Sequence, residues 1–181
     1  MAFEPLDTLV TYHQGYGNKP GNITLEGCRF YGRPNFQGEL RDHGSWQEDK
    51  RNFTVLIPNE EADRMRDLRW PVKTNVPTDD EKAQGREPLS YLKSSVFFSV
   101  DKNPHQPLEE QRYPDIWVIQ GDDREKLTFR TVGLMDTARF DMIDMELRLW
   151  EYKPDQWSAT LVTLVAVMRT SRLSEKYGRL L

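Results

Sequence analysis

From Met145 to Tyr152 the chain alternates without a break: Met145, Leu147 and Leu149 are apolar, and Glu146, Arg148, Trp150 and Tyr152 fall between them. Successive side chains of an extended backbone point to opposite faces, so a period of two marks a strand with one buried side. Five further stretches carry the same mark or a short apolar run. ITLEGCRFYGR sets Thr24, Glu26, Cys28 and Phe30 against Leu25, Gly27, Arg29, Tyr31 and Arg33. RNFTVLIP puts Arg51 and Phe53 in one phase and ends at Pro58, which cannot donate to a ladder. LSYLKSSVFFSVD turns Leu92, Val96, Phe98 and Val100 inward and Tyr91, Lys93, Ser95, Phe97 and Ser99 outward. IWVIQ is a shorter strand, and SATLVTLVAVMR a long buried one. GDDREK reads as a turn, KLTFRTVG as a further strand or extended segment, and LMDTARFDM as a short helix or turn.

One helix interrupts the strands. Asn59 stands as its N-cap, Glu60 and Glu61 suit its positive end, Ala62 and Met65 with Leu68 or Arg69 keep helical spacing, and Pro71 stops it. Strands this apolar need their edges managed. The fold expected is therefore mainly β: a closed antiparallel barrel or sandwich, best matched by a five-stranded Greek-key barrel with one short helix and long loops. Residues 1–21, with Gly15, Gly17, Asn18, Pro20 and Gly21, read as a flexible N-terminal arm, 22–169 as the domain, and 170–181 as a basic tail. PNFQGELRDHGSWQEDK is a polar connection, and 75–88 and 101–114 are long loops.

Composition narrows the function classes. No apolar run reaches the roughly 18–20 residues of a membrane span, and MAFEPLDTLV lacks the basic and apolar regions of a signal peptide, so a cytoplasmic protein is expected. Cys28 is the single cysteine and rules out an internal disulfide; within CRFYG it reads as a small buried hydrophobe. His13, His43 and His105 lie in Gly- or Pro-flanked loops and make no zinc spacing. There is no phosphate loop and no nucleophile elbow, and Gly15-Tyr16-Gly17 is too short and wrongly placed for a dinucleotide fingerprint. The Asp79-Asp80 and Asp122-Asp123 pairs read as solvated turns, and Asp141 and Asp144 lack metal-binding company in the sequence. No catalytic residue, metal or cofactor is expected.

What stands out is cations interleaved with aromatics on the non-core phase. Arg29, Tyr31 and Arg33 share a face of one strand, Arg51 and Phe53 of a second, Tyr91, Lys93 and Phe97 of a third, and Arg148, Trp150 and Tyr152 of a later one. Unpaired nucleic acid needs this mixture: flat rings on which bases stack, at about 1–3 kcal/mol each, and Lys or Arg for phosphates. A second core layer would rarely carry so many cations. The net charge of −4 pulls the other way, since nucleic-acid binders are usually basic.

The order of ITLEG, NF-x-G, RNFTVLIP, a short helix closing on RWPVK, then YLKSSVFFSVD, PDIWVIQ, TVGLMDTARFDMIDMELRLWEYKP and SATLVTLVAVMR resembles the bacteriophage single-stranded DNA-binding proteins of OB-fold type over residues 22–169. The resemblance implies an OB barrel that protects or organises unpaired phage DNA in replication and recombination, inside the bacterial host. Asn35, Phe36 and Gly38 match that family's first turn motif, Arg51, Asn52 and Phe53 its second strand, and Trp70, Val72 and Lys73 its helix exit. Tyr91, Leu92 and Lys93 match its third strand, and Trp150 and Tyr152 its late aromatic position. The DNA-binding set is thus Arg29, Tyr31, Arg33, Phe36, Arg51, Phe53, Lys73, Tyr91, Lys93, Phe97, Arg148, Trp150 and Tyr152. Two departures stand out: Thr163 and Leu164 occupy the last strand where a lysine is expected, and RTSRLSEKYGRLL is basic where bacterial single-strand binders commonly end in an acidic recruiting tail. The partner expected is single-stranded DNA, with phage replication or recombination proteins beside it. The alternative is an OB-like protein-interaction module without affinity for nucleic acid, such as a scaffold or host-factor inhibitor. Sequence gives neither oligomeric state nor site size.

Overall fold

The computed structural model describes residues 6–39, 41–43, 46–48 and 50–169. Its strands are β1 (Leu9–Tyr12), β2 (Ile23–Glu26), β3 (Arg41–His43), β4 (Trp46–Glu48), β5 (Asn52–Ile57), β6 (Lys73–Asn75), β7 (Leu89–Ser95), β8 (Asp115–Gln120), β9 (Asp123–Lys126), β10 (Phe140–Lys153) and β11 (Gln156–Met168). The helices are α1 (Asn59–Asp67), α2 (Asp79–Ala83) and α3 (Leu134–Thr137). None is long and apolar enough to cross a membrane.

Nine strands form one mixed sheet in the order β1-β2-β10-β11-β7-β5, with β6 added to β7, β8 to β11 and β9 to β8; β3 and β4 pair separately. This corrects the expected closed, all-antiparallel barrel of five strands. The sheet is open along its ladder, and β11 runs parallel to both β7 and β8. Alternation reports which side of a strand is buried but not which neighbour it takes or in which direction. β11 is long enough to use β7 beside Ala159–Thr160 and β8 beside Thr163–Val167. The stretch after β2 approaches β5 through two isolated bridges, Phe30 to Val55 and Asn35 to Asn52, and no continuous ladder.

Two irregularities set the faces. Gly27 has φ +64°, and its N–H donates to Asp144 Oδ1 at 2.8 Å. The turn it makes costs glycine little. It shifts the phase by one residue, so Ile23 and Leu25 face the core before it and Cys28 and Phe30 after it. The single uninterrupted strand expected over this stretch, with Leu25 on the side of Arg29 and Tyr31, is therefore corrected. The β10–β11 register slips at Val162, between the pairs Glu146–Thr163 and Leu147–Leu161. Bulges of this kind add one unpaired residue and re-aim a strand. Ala159 and Leu161 are buried before the slip, Leu164 and Ala166 after it.

Several local expectations change. The turn-rich N-terminal stretch contributes β1, paired to β2 from Leu9 with Glu26 to Tyr12 with Ile23. The polar connection holds the β3–β4 hairpin. Asn59 is the first residue of α1 and not its cap: Nδ2 donates to Pro88 O at 2.7 Å and Oδ1 accepts from Ser90, tying the helix to β7. The 75–88 loop contains α2, whose Thr78 and Glu81 form a reciprocal capping box. DREK is a strand, not a turn, because Gly121 at φ +61° makes the hairpin two residues earlier. KLTFRTVG is mostly turn leading into α3. The basic tail at 170–181 lies outside the described residues.

The core is one cluster drawn from both ends of the chain: Leu25, Phe36, Phe53, Leu92, Leu147 and Leu164 with Met65 and Trp70 from around α1. Phe36 and Phe53 stack with centroids 5.3 Å apart, and Phe30 meets both edge-on. At the far end the Asp136 carboxylate of α3 accepts the N–H groups of Phe36 and Gln37 at 2.7 and 2.9 Å.

Cys28 lies in this core and its Sγ donates to Ile143 O at 3.2 Å. Burial, and then the nearby Asp144, pushes its thiol up to about 12. Native protein should resist labelling by DTNB at pH 8 and react when unfolded. The unfolded thiol ionises from about 8.5 while the folded one keeps its proton, so this contribution to stability is whole below that pH and is lost as pH rises toward 12. Fast native labelling would contradict this placement.

Candidate nucleic-acid interface

Paired residues on adjacent strands put their side chains on the same face. Asn52 pairs with Ser95, Ser95 with Thr160, and Thr160 with Arg148, which makes one row across β5, β7, β11 and β10. Two residues along each strand the same outer face carries Thr54, paired to Lys93, and Ser158, paired to Trp150. Beyond these, Tyr91 is flanked by Leu56 on β5 and Lys73 on β6, and Tyr152 follows Trp150 on β10. Phe30 faces the core opposite Val55, so Arg29 and Tyr31 on either side of it face outward. Both are held by backbone bonds to β5: the Tyr31 N–H donates to Thr54 O, and the Leu56 N–H to Arg29 O.

The result is one continuous surface. Tyr31 stacks on Tyr91 at 5.4 Å and 25°, and Trp150 meets Tyr152 edge-on at 5.9 Å. Between the two aromatic pairs the outward phase of the central strands carries small hydroxyl side chains, Ser95 and Ser158 half-buried and Thr160 buried, and Lys73 of β6 stands beside Tyr91 on the same edge of β7 as β11. Two strand spacings, about 10 Å, separate β7 from β10. Tall rings therefore flank a low floor, with Lys93 and Lys73 on one side of it and Arg148 on the other. Tyr31, Trp150 and Tyr152 are 43%, 43% and 48% exposed. Phe97 is also exposed, one step past β7, with Lys102 Nζ 5.8 Å from its ring centroid.

Nine of the thirteen expected residues thus share this outer face or border it: Arg29, Tyr31, Lys73, Tyr91, Lys93, Phe97, Arg148, Trp150 and Tyr152. Three others are corrected. Phe36 and Phe53 are 0% and 1% exposed and stack on each other, so neither has a ring face for a base. Arg51 does share the phase of Phe53, but that phase points inward. Its side chain is 11% exposed, it bonds Asp101 through Nε and Nη2 at 2.9 and 3.1 Å and Phe36 O through Nη1 at 2.8 Å, and it lies 4.8 Å from the Phe98 centroid. It fastens the residue before β5 to Asp101 at the start of the 101–114 loop. Arg33 sits in the turn after β2, exposed and 3.5 Å from Glu39. Of the floor residues, Ser95 was expected to face outward, whereas Ser158 and Thr160 were not singled out. The signal available was two small hydroxyl residues in an otherwise apolar run, SATLV, and it is weak because such residues also occur in ordinary sheets.

Among the described residues there is no cluster of three or more His, Cys, Asp and Glu side chains able to hold a metal ion. What the surface offers is aromatic faces and cations.

A family model described as "Putative phage ssDNA-binding domain" matches residues 14–180. No curated protein matches. Two solved structures align over 83% of the chain: the single-stranded DNA-binding protein from bacteriophage Enc34 in complex with ssDNA, at 14% identity, 88% of that chain and a TM-score of 0.46, and its C-terminal truncation, at 12% identity, 87% of that chain and a TM-score of 0.44.

The two faces of β10 should separate in a denaturant experiment. Leu147→Ala empties a fully buried site and is expected to cost about 2–5 kcal/mol. Trp150→Ala and Tyr152→Ala remove half-exposed rings and should cost about 1 kcal/mol or less. Arg51→Ala strands the Phe36 carbonyl and Asp101, and should cost about 1–3 kcal/mol. Trp150→Ala unfolding the protein would reverse the assignment of faces.

Proposed function

This chain belongs to the phage ssDNA-binding domain family, and from that membership we propose that it holds single-stranded DNA, with little reading of base identity, across the outer face of β5, β7, β11 and β10. The observation that carries this reading is the hydroxyl floor between two exposed aromatic pairs, with cations on both sides of it. Tyr31 with Tyr91, and Trp150 with Tyr152, are the stacking platforms; Lys73, Lys93, Arg148 and Arg29 meet phosphates. Stacking accepts any base because every base has a π-face. A duplex keeps those faces inside its own stack and gains only the phosphate contacts. Ser95, Ser158 and Thr160 leave room for bases and few groups to discriminate among them.

The strand order β2-β10-β11-β7-β5, the parallel β7–β11 pair and the two bridges from the β2 continuation to β5 support an OB-type reading of the sheet. The binding domain is then residues 22–169, with β1 added at its edge. The work of such a protein is to protect or organise unpaired DNA during phage replication and recombination in the host cell, beside the enzymes of those processes. An acidic body is compatible with this, because the cations that matter are local to one face.

Titration of fluorescent oligo-dT by polarisation tests the reading. Single-stranded oligomers should bind more tightly than duplexes of equal length, and equal affinity would defeat it. The slope of log K against log salt should be about −0.7 per phosphate contact, and modest in total because the face offers few cations. No binding to either form would favour the protein-interaction alternative.

A further inference from the structure

Resting on that reading, we propose that the fork where β7 and β8 part beside β11 is a further stacking station for the same DNA strand, with Phe97 and Tyr113 taking bases and Lys102 meeting a phosphate. β10 holds one edge of β11 along its length. β7 and β8 share the other edge, β7 at Ala159–Thr160 and β8 at Thr163–Val167. Register puts the fork on the outer face already described. Arg148, Thr160 and Ser95 make one outward row, and Glu146, Thr163 and Asp115 make the next. Phe97 continues the outward phase of β7 past Ser95, and Tyr113 opens that of β8 before Asp115, so both adjoin the junction of these rows.

Burial and contacts agree with that phase. Val96 and Phe98 are buried, and Phe97 between them is 43% exposed; Pro114 and Ile116 are buried, and Tyr113 is 47% exposed. Lys126 stands opposite Trp117 on the outer face, and its Nζ lies 5.3 Å from the Tyr113 ring centroid, which places that ring on the same side. Lys102 Nζ lies 5.8 Å from the Phe97 centroid. Ring and ammonium thus stand together twice, the mixture that a stacked base and its phosphate require. Lys126 is paired with Asp115 at 3.0 Å, so the phosphate contact falls to Lys102. Glu146, the other carboxylate of the second row, accepts from Asn22 Nδ2 at 3.3 Å.

The fork is held in place without a ligand. The Ser99 N–H donates to Arg112 O at 2.8 Å, and the Arg112 N–H donates to Ser99 Oγ at 2.7 Å. This clasp closes the 101–114 loop two residues from Phe97 and one from Tyr113, and Ser99 itself is buried. The buried Phe98 ring stacks with Tyr113 at 6.4 Å and 10°, and the Arg51 guanidinium lies 4.8 Å from the Phe98 centroid. Rings fixed in this way have already met much of the ordering cost of binding. A DNA strand that leaves the floor over Ser95 and Thr160 meets them next.

Phe97→Ala, Tyr113→Ala, Tyr113→Phe, Lys102→Gln and Trp150→Ala, each checked by denaturant unfolding, would be titrated with oligo-dT of increasing length. Phe97→Ala and Tyr113→Ala should each lose affinity by about 5- to 150-fold on oligomers long enough to reach the fork, with Tyr113→Phe retaining it. Lys102→Gln should flatten the slope of log K against log salt by about 0.7, a change that lost packing would not give. Should Tyr113→Ala unfold because it uncovers Phe98, Phe97→Ala and Lys102→Gln decide the matter. Both of these matching wild type at every length and salt, while Trp150→Ala is weakened, overturns the fork and leaves the sheet-face reading in place. Wild-type protein that binds no oligo-dT overturns both.

Discussion

The pairing of β10 with β11 governs the rest of the structure. It is the longest ladder in the sheet, running from Phe140 opposite Met168 to Lys153 opposite Gln156. One face of it supplies Met145, Leu147, Leu149, Ala159 and Leu164 to the core, and every other strand of the main sheet is attached directly or indirectly to its two edges. β2 and β1 hang on the β10 edge; β7, β5, β6, β8 and β9 hang on the β11 edge. Because the side-chain period is two, the residues that complete the core determine which residues are left outside. Arg148, Trp150 and Tyr152 face solvent because Leu147 and Leu149 do not.

The slip at Val162 divides that ladder into two working halves. Beyond it, β11 pairs with β8, and the outer face carries Met142, Val165, Val167, Trp117 and Ile119, bordered by Lys126 and Arg124 of β9. Lys126 there bonds Asp115 at 3.0 Å, and that bond raises its ammonium above its ordinary value. Before the slip, β11 pairs with β7 and its outer residues are Ser158 and Thr160. Cations also differ in kind between places. Arg51 is spent on Asp101, Phe36 O and Phe98, whereas Arg148 stands in a row whose other members are Asn52, Ser95 and Thr160. Carboxylates differ in the same way: Asp101 faces the fixed Arg51, whereas Glu146 stands in the same outward phase of β10 as Arg148, Trp150 and Tyr152.

Much of this was legible in the sequence, for a physical reason. Alternation is a local signal, so β10 and β7 could be read with the correct buried phase, and Trp150, Tyr152, Tyr91 and Lys93 followed from it; around β5, Arg51 and Phe53 were read as outward, and that phase faces the core. What failed was anything that depends on a break in phase or on a distant partner. Gly27 rotates the strand after it, and nothing in CRFYGR announces the rotation. Arg51 looks like a DNA contact until Asp101, fifty residues away, is seen to hold it. Phe36 sits in a polar stretch, and only the carboxylate of Asp136 and the ring of Phe53 explain why it is fully buried. Strand direction was beyond reach, since parallel and antiparallel neighbours leave similar patterns in a half-buried strand.

The exposed rings raise a question of cost that their pairing answers. A tyrosine or tryptophan left in water forfeits much of the roughly 1.5–3 kcal/mol or more that burying a large side chain would give. Tyr31 on Tyr91, and Trp150 against Tyr152, recover part of it through ring contacts worth about 0.5–1.5 kcal/mol. The same contacts restrict rotamers, so the free faces are already set at a separation fixed by the backbone. The strands that pack the core inside also hold the ring pairs outside, so the proposed recognition would rest on the same geometry as stability. Tyr91, Trp150 and Tyr152 stand on strands of one sheet, and Tyr31, outside the strands, is held beside them by its backbone bond to Thr54 of β5. The floor of serine and threonine completes the arrangement, because a larger side chain at Ser158 or Thr160 would fill the space between the pairs without adding to the core beneath.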